Sequence, residues 1–210
     1  MFHSVLSPLI NIGLISVNDF IGQLEKYYQV QYDAPVAQFL PKRIGELLGQ
    51  EISVASARGL DHGAFIPLLA MYPKANIPVI QLSIPTFHPE SLFQFGQKLA
   101  PLRDEGVLII GSGFLTHGLP FLKEFRIEAQ PPAWSIDFDL WAKEALAKGA
   151  IEDLFDFKNK APGALYAHPT VEHLAPIFIT LGAAANPGEG IESSIEGYWM
   201  GLSKRSFAVS

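Results

Sequence analysis

The chain has 210 residues, 49% of them hydrophobic and 17% charged, with a mean hydropathy of +0.21, so it can bury one sizeable core and is not disordered as a whole. Lys and Arg number 15 against 21 Asp and Glu, a net charge of −6, and no basic cluster exceeds a pair such as Lys204-Arg205; no nucleic-acid partner is expected. There is no cysteine, which excludes disulfides, a thiolate nucleophile and Cys-ligated metal or iron–sulfur sites, and fits a cytoplasmic setting.

In chain order, Met1-Phe2-His3-Ser4-Val5-Leu6 has no basic n-region and no cleavage site ahead of a polar start, so no signal peptide is expected. Residues 1–17 carry no clean period, whereas 20–28 and 37–48 read as helices. Buried strands are predicted over 52–57, 78–84 and 107–112, each short, aliphatic and bounded by Gly or Pro. Between the last two, Leu92, Phe93, Phe95, Leu99 and Leu102 recur near helical spacing, with Pro89 suited to a first turn. Strand, helix and strand at this length make a βαβ unit. The fold class expected is therefore α/β, a single domain with a central, mainly parallel or mixed sheet flanked by helices.

Further helices are predicted over 136–147, 151–157 and 170–181, the last stopped by Gly182. Alternation through Tyr198, Met200, Leu202, Phe207 and Val209 predicts a closing pair of strands over 194–209. The longest apolar stretches, 107–113 and 177–185, are shorter than the ~18 residues of a membrane span, so no membrane partner is expected.

Histidine is the side chain suited both to metal binding and to proton transfer near neutrality, and the chain has six. Asp61-His62-Gly63 follows the first predicted strand, at the edge where an open α/β sheet gathers functional groups. The plainer reading is that Asp61 caps a helix over 64–71 and His62 is incidental. Gly111-Ser112-Gly113-Phe114-Leu115-Thr116-His117-Gly118 is a glycine-rich loop after a strand. It misses G-x-G-x-x-G at Thr116 and G-x-S-x-G at Ile110, so what it offers is His117 at a strand end, held by flexible backbone. Site and turn both stay open there.

His168-Pro169-Thr170-Val171-Glu172-His173 sets Glu172 and His173 in a predicted first helical turn. The choice is between metal ligation by His173 and a carboxylate favoured by the helix dipole. Its histidine spacing is not H-E-x-x-H, which excludes the zinc protease pattern. His3 and His88 read as surface residues, and Tyr166, Tyr198 and Trp199 as packing groups.

Taken together these stretches resemble the class III extradiol ring-cleavage dioxygenases, in their 4,5-DOPA extradiol dioxygenase-like branch. The resemblance rests on Asp61-His62-Gly63-Ala64-Phe65-Ile66-Pro67-Leu68 with Met71-Tyr72-Pro73, then Ile77-Pro78-Val79-Ile80-Gln81-Leu82-Ser83. It continues through 108–113 with His117, the His168 to His173 segment, and 197–206. It implies one domain over 1–210, with 1–17 divergent and 18–210 family-like. It also implies a non-haem Fe(II), or zinc in some relatives, one metal per chain, with a catechol-type aromatic diol and O2 as substrates.

By the resemblance His173 is a metal ligand, His117 the acid/base histidine, and His62 a histidine that assists binding of oxygen or substrate. Family members carry two further ligand histidines in a His-Gly-Ser-Pro-like and a Ser-Ala-His-Trp-like loop, and neither motif occurs here; Asn18-Asp19-Phe20 stands where the family often has His-Asp-Phe. Three expectations follow. The chain is a dioxygenase lacking its N-terminal part with the first family strands, or a metal-free relative that binds aromatics or other subunits, or its site is completed by a partner chain. An uncovered sheet edge would favour a homo-oligomer.

Overall fold

A computed structural model describes residues 35–54, 59–186, 188–191 and 193–209, with side chains from residue 39 onward. The predicted helix over 20–28, His3 and the end of the first predicted strand lie outside the described residues. The chain divides into two compact units, 1–83 and 84–210.

In the first unit, helix α1 spans Pro35–Leu48 and helix α2 spans His62–Met71. Leu68, Leu69 and Ala75 form a small buried cluster, with Leu60, Phe65, Tyr72 and Val79 against it. The backbone carbonyl of Asp61 accepts the N–H groups of Ala64 and Phe65, which starts α2. Its carboxylate makes no capping bond. Instead, Gln81 Nε2 donates to Asp61 Oδ2 at 2.5 Å and the Asp61 N–H donates to Gln81 Oε1 at 2.7 Å. The capping role expected of Asp61 is thus corrected: the side chain joins the helix start to residue 81.

The second unit is rich in helices: α3 (Pro89–Leu99), α4 (Pro101–Asp104), a 3₁₀ turn (Leu119–Phe121), α5 (Ala133–Ala147), α6 (Ile151–Phe155), α7 (Phe157–Lys160), α8 (Ala164–Ala167) and α9 (Ala175–Gly182). Leu92, Phe138, Leu146, Phe157, Phe178 and Leu181 dominate its core. Helices α3 and α9 approach closely because each offers a glycine to the other's backbone. A Cβ on Gly96 would sit 2.1 Å from the Ile179 carbonyl oxygen, and one on Gly182 would sit 2.0 Å from that of Phe93. Arg103 adds to this join by donating to the Ala183 carbonyl just beyond α9, at 3.1 Å, where helical carbonyls lack partners.

Among the described residues the strands are four short ones near the C-terminus, β1 (Ser193–Ile195), β2 (Tyr198–Trp199), β3 (Leu202–Ser203) and β4 (Ser206–Phe207). All pair antiparallel, β1 with β4 and β2 with β3. Met200 and Gly201 both have positive φ, 53° and 77°, which turns the inner ribbon in two residues. The predicted closing strands over 194–209 correspond to these ribbons.

The central parallel sheet is a different matter. Residues 78–84 and 107–112 have no ladder partner assigned among the described residues. Extended backbone is nonetheless visible in 107–110, where half-buried Val107 and Ile109 alternate with exposed Leu108 and Ile110. The segment runs against α9, a Cβ on Gly111 falling 2.8 Å from the Pro176 carbonyl oxygen. Among the described residues the arrangement is helix-rich with small antiparallel ribbons, and the expected central sheet is not seen there. Among those residues, neither aliphatic run has the paired backbone that makes a strand.

The glycine-mediated crossing sets a direct test. Gly96→Ala and Gly182→Ala should each lower unfolding stability by about 1–3 kcal/mol or more, read by urea denaturation, because backbone rather than a movable side-chain tip blocks the added methyl group.

Candidate active site

The second unit brings two of the three predicted site histidines together. His117 and His173 stack, their ring centroids 3.5 Å apart and their planes 23° from parallel. Each stands on irregular backbone. His117 follows the extended 107–112 segment, and His173 lies in a turn that precedes α9. This corrects the helical first turn expected for Glu172 and His173: the helix starts at Ala175, and Val171 begins a hydrogen-bonded turn ahead of it.

Three hydrogen bonds stitch the two segments. The Phe114 N–H donates to the His173 carbonyl at 3.0 Å, and the His117 N–H donates to the Ala167 carbonyl at 2.8 Å. His168 Nε2 lies 2.8 Å from the Leu115 carbonyl oxygen, and because a carbonyl can only accept, the Nε2 atom carries the hydrogen. The glycines flanking the loop admit this contact. A Cβ on Gly113 would fall 2.2 Å from the His173 carbonyl oxygen, and one on Gly118 2.1 Å from that of Tyr166. The backbone around His117 is therefore held at close quarters, which corrects the flexible loop expected from its glycines.

Behind His117 lies a buried polar network. Thr116 Oγ1 is 3.0 Å from Ser135 Oγ and accepts the Ser203 N–H at 2.7 Å. Ser203 Oγ donates to Asp139 Oδ1. Arg205 grips the same carboxylate with two donors, Nε at 2.9 Å and Nη2 at 2.7 Å, both side chains being less than 5% exposed. Arg205 Nη1 continues to Ser193 at 2.6 Å and to Glu196 at 2.8 Å. The C-terminal ribbons are thereby tied to the residue preceding His117. Tyr198 donates to Asp139 Oδ2 at 3.4 Å, and burial with the nearby carboxylate pushes its phenol up to about 12.

An aromatic wall borders the stacked pair. Phe114 lies 6.0 Å from the His117 ring and 6.2 Å from Trp199, which the inner ribbon carries. Glu172 is exposed at the rim. Burial opposes its ionisation, yet the Thr170 hydroxyl at 2.7 Å, its own backbone N–H and nearby His173 and His117 hold the carboxyl below the usual range.

His62, the third predicted residue, opens α2 in the first unit and is exposed there. His88 is exposed, as expected for a surface residue. Sequence reading missed the role of His168, and also the Asp139–Arg205 pair. Asp139 had a signal: it shares a helix face with Ser135 and Ala142, both buried. Trp199, expected only to pack, joins the wall beside His117.

As a metal centre the set is partial. No group of three or more His, Asp or Glu side chains suited to a metal gathers among the described residues. Nor can the stacked pair share an ion as arranged. A metal about 2.1 Å from one ring nitrogen, in that ring's plane, would stand well off the plane of the other, where no lone pair points. At most one ring of the pair can therefore ligate a given ion.

Residues 3–207 match the family described as the catalytic LigB subunit of aromatic ring-opening dioxygenase. The chain belongs to this family. The LigB-family chain is 42% identical over 177 residues to a 4,5-DOPA dioxygenase extradiol of Mirabilis jalapa, covering 82% of itself and 66% of that protein. Its likeness to the 4,5-DOPA dioxygenase extradiol of Beta vulgaris is 39% identity over 210 residues, covering 95% of itself and 77% of the relative. A crystal structure of an uncharacterized protein from Escherichia coli K12 superposes with a TM-score of 0.74 at 35% identity, over 85% of this chain and 75% of that one. The 4,5-DOPA branch named by the resemblance is the branch of these curated relatives.

The His168 environment sets a pH test. Burial lowers the imidazole from its ordinary value of 6.5 to about 4, while the Leu115 carbonyl and Glu172 oppose the shift and His117 and His173 add to it. The unfolded chain therefore takes up a proton near pH 6.5 that the folded chain refuses until about 4. This contribution to stability is complete above 6.5 and is lost progressively as pH falls from there to about 4, by roughly 3 kcal/mol in total. Urea unfolding across this range should show that decline, and His168→Phe should flatten it.

Proposed function

We propose that this chain is an extradiol ring-cleaving dioxygenase acting on a catechol-type aromatic with O2 and a non-haem metal, Fe(II) or the zinc of some relatives. The observation that carries the reading is the stacking of His117 on His173 beside the Phe114–Trp199 wall, in a chain of this family. His173 is the metal ligand in this reading. The metal, when bound, supplies adjacent positions for both catechol oxygens and for dioxygen. The ligand set must be completed by residues beyond this pair, from this chain or from a partner.

The work of the chain's own residues is proton transfer and orientation. His117 takes a proton from a catechol hydroxyl as the diol seats and returns one as the ring opens next to the diol carbons. Its backbone is fixed by the bonds to Ala167 and from His168 to Leu115, so the imidazole does not have to be ordered at each turnover. Phe114 and Trp199 offer apolar faces against which an aromatic ring can lie, with centroid spacings common to such pairs. His62 assists binding of oxygen or substrate. The absence of cysteine fits a cytoplasmic enzyme.

The rival reading is a metal-free, non-catalytic relative that binds aromatics or another subunit. The sequence carries neither a His-Gly-Ser-Pro-like nor a Ser-Ala-His-Trp-like ligand loop, which favours it. Oxygen uptake on Fe(II)-loaded protein given a catechol decides between them. His117→Ala should lower turnover by about 10²–10⁴-fold with bound iron unchanged, whereas His173→Ala should lose iron and turnover together. Equal turnover in wild type and His117→Ala would remove the acid/base assignment.

A further inference from the structure

We propose that His168 is a positioning residue, holding His117 and His173 face to face through its hydrogen bond to the Leu115 carbonyl. That the held imidazoles then serve a reaction rests on the function proposed above; that His168 holds them does not.

The residue sits in an expensive place for its type. It is 5% exposed, with its ring edge-on to Phe138 at 5.0 Å and to Phe157 at 6.2 Å. Its Nδ1 atom is buried with no hydrogen-bond partner among the described residues. An unpaired buried acceptor is unfavourable, and a leucine or phenylalanine in this pocket would avoid it. What the histidine adds in return is one donor, Nε2–H, reaching a carbonyl 53 residues away in sequence.

That carbonyl belongs to the residue midway between Phe114 and Thr116. Each neighbour is anchored too, Phe114 to the His173 carbonyl and Thr116 to Ser135 and Ser203. His168 itself is fixed by its N–H bond to the Ala164 carbonyl at 2.8 Å, at the end of α8. The loop before His117 is thus pulled onto the 167–173 segment from both strands of the join. Between these anchors the Leu115 carbonyl is the acceptor that His168 engages. His168 restrains the orientation of the Leu115–Thr116 peptide, and His117 is the residue that follows it.

His168→Gln places an amide nitrogen near the reach of Nε2, whereas His168→Phe fills the pocket without a donor. The signals of the His117 and His173 Cε1–H protons in the metal-free 210-residue chain report the stack through mutual ring-current shifts. Both signals should move in His168→Phe and stay near wild-type positions in His168→Gln. If His168→Phe does not fold, His168→Asn, whose amide ends near the Nδ1 position, takes its place with the same displacement expected. On Fe(II)-loaded protein, kcat should fall about 10- to 100-fold in the donorless variant with KM changed by less than about threefold, and recover with Gln. Wild-type histidine signals in a folded donorless variant, or displacement as large in His168→Gln, would overturn the proposal. A wild-type chain without catechol turnover would defeat the proposed function alone, leaving the histidine signals to decide this one.

Discussion

The site depends on a close backbone join between residues 113–118 and 166–173. Side chains at Gly113 and Gly118 would collide with carbonyl oxygens about 2 Å away, so the contact exists only because both positions lack a Cβ. Once admitted, it is held by amide-to-carbonyl bonds at 2.8 and 3.0 Å and by the His168 donor. The stacking of His117 on His173 is the consequence, since each ring leaves a backbone already fixed by the other's segment. Glycine here confers proximity rather than mobility.

A second constraint lies behind the first. Taking the Asp139 carboxylate and the Arg205 guanidinium out of water is costly, and the structure offsets the cost with a two-pronged contact and with hydroxyls from Ser203 and Ser193. Such a pair adds little to stability over an apolar replacement. It does fix geometry: the carboxylate accepts only where its donors stand, and these are Tyr198 and Ser203 of the ribbon that carries Trp199, Ser203 being also bonded to Thr116, and Arg205 just beyond it. The aromatic wall and the loop that carries His117 are thereby registered against one helix, α5.

Much of this was legible in the residues. The helical spacing of Leu92, Leu99 and Leu102 and the proline at position 89 mark α3 and α4, and Gly182 does end α9. The histidine-bearing stretches led to the right family because each keeps a distinctive local order of Gly, His, Pro and Glu. The central sheet is not seen among the described residues, and an aliphatic run such as 107–112, alternating in burial, does not encode which segment would pair with it. Pro169 and Thr170 imitate a helix start ahead of Glu172 and His173, while Pro176, at the second position of α9, marks the start that the structure uses. Long-range pairs such as Asp139 with Arg205, 66 positions apart, have no local pattern beyond a polar residue on a buried face.

In the proposed function His173 ligates the metal and His117 stands against it unligated, so the purified protein, alone or as an assembly of its own copies, must complete a metal site. The most direct measurement is retained iron after anaerobic incubation of the purified chain with Fe(II) and removal of loosely held ion. About one iron per chain, lost in His173→Ala and kept in His117→Ala, is the predicted result. Wild-type protein that is folded and retains no iron would contradict it and would leave the chain as a metal-free member of its family.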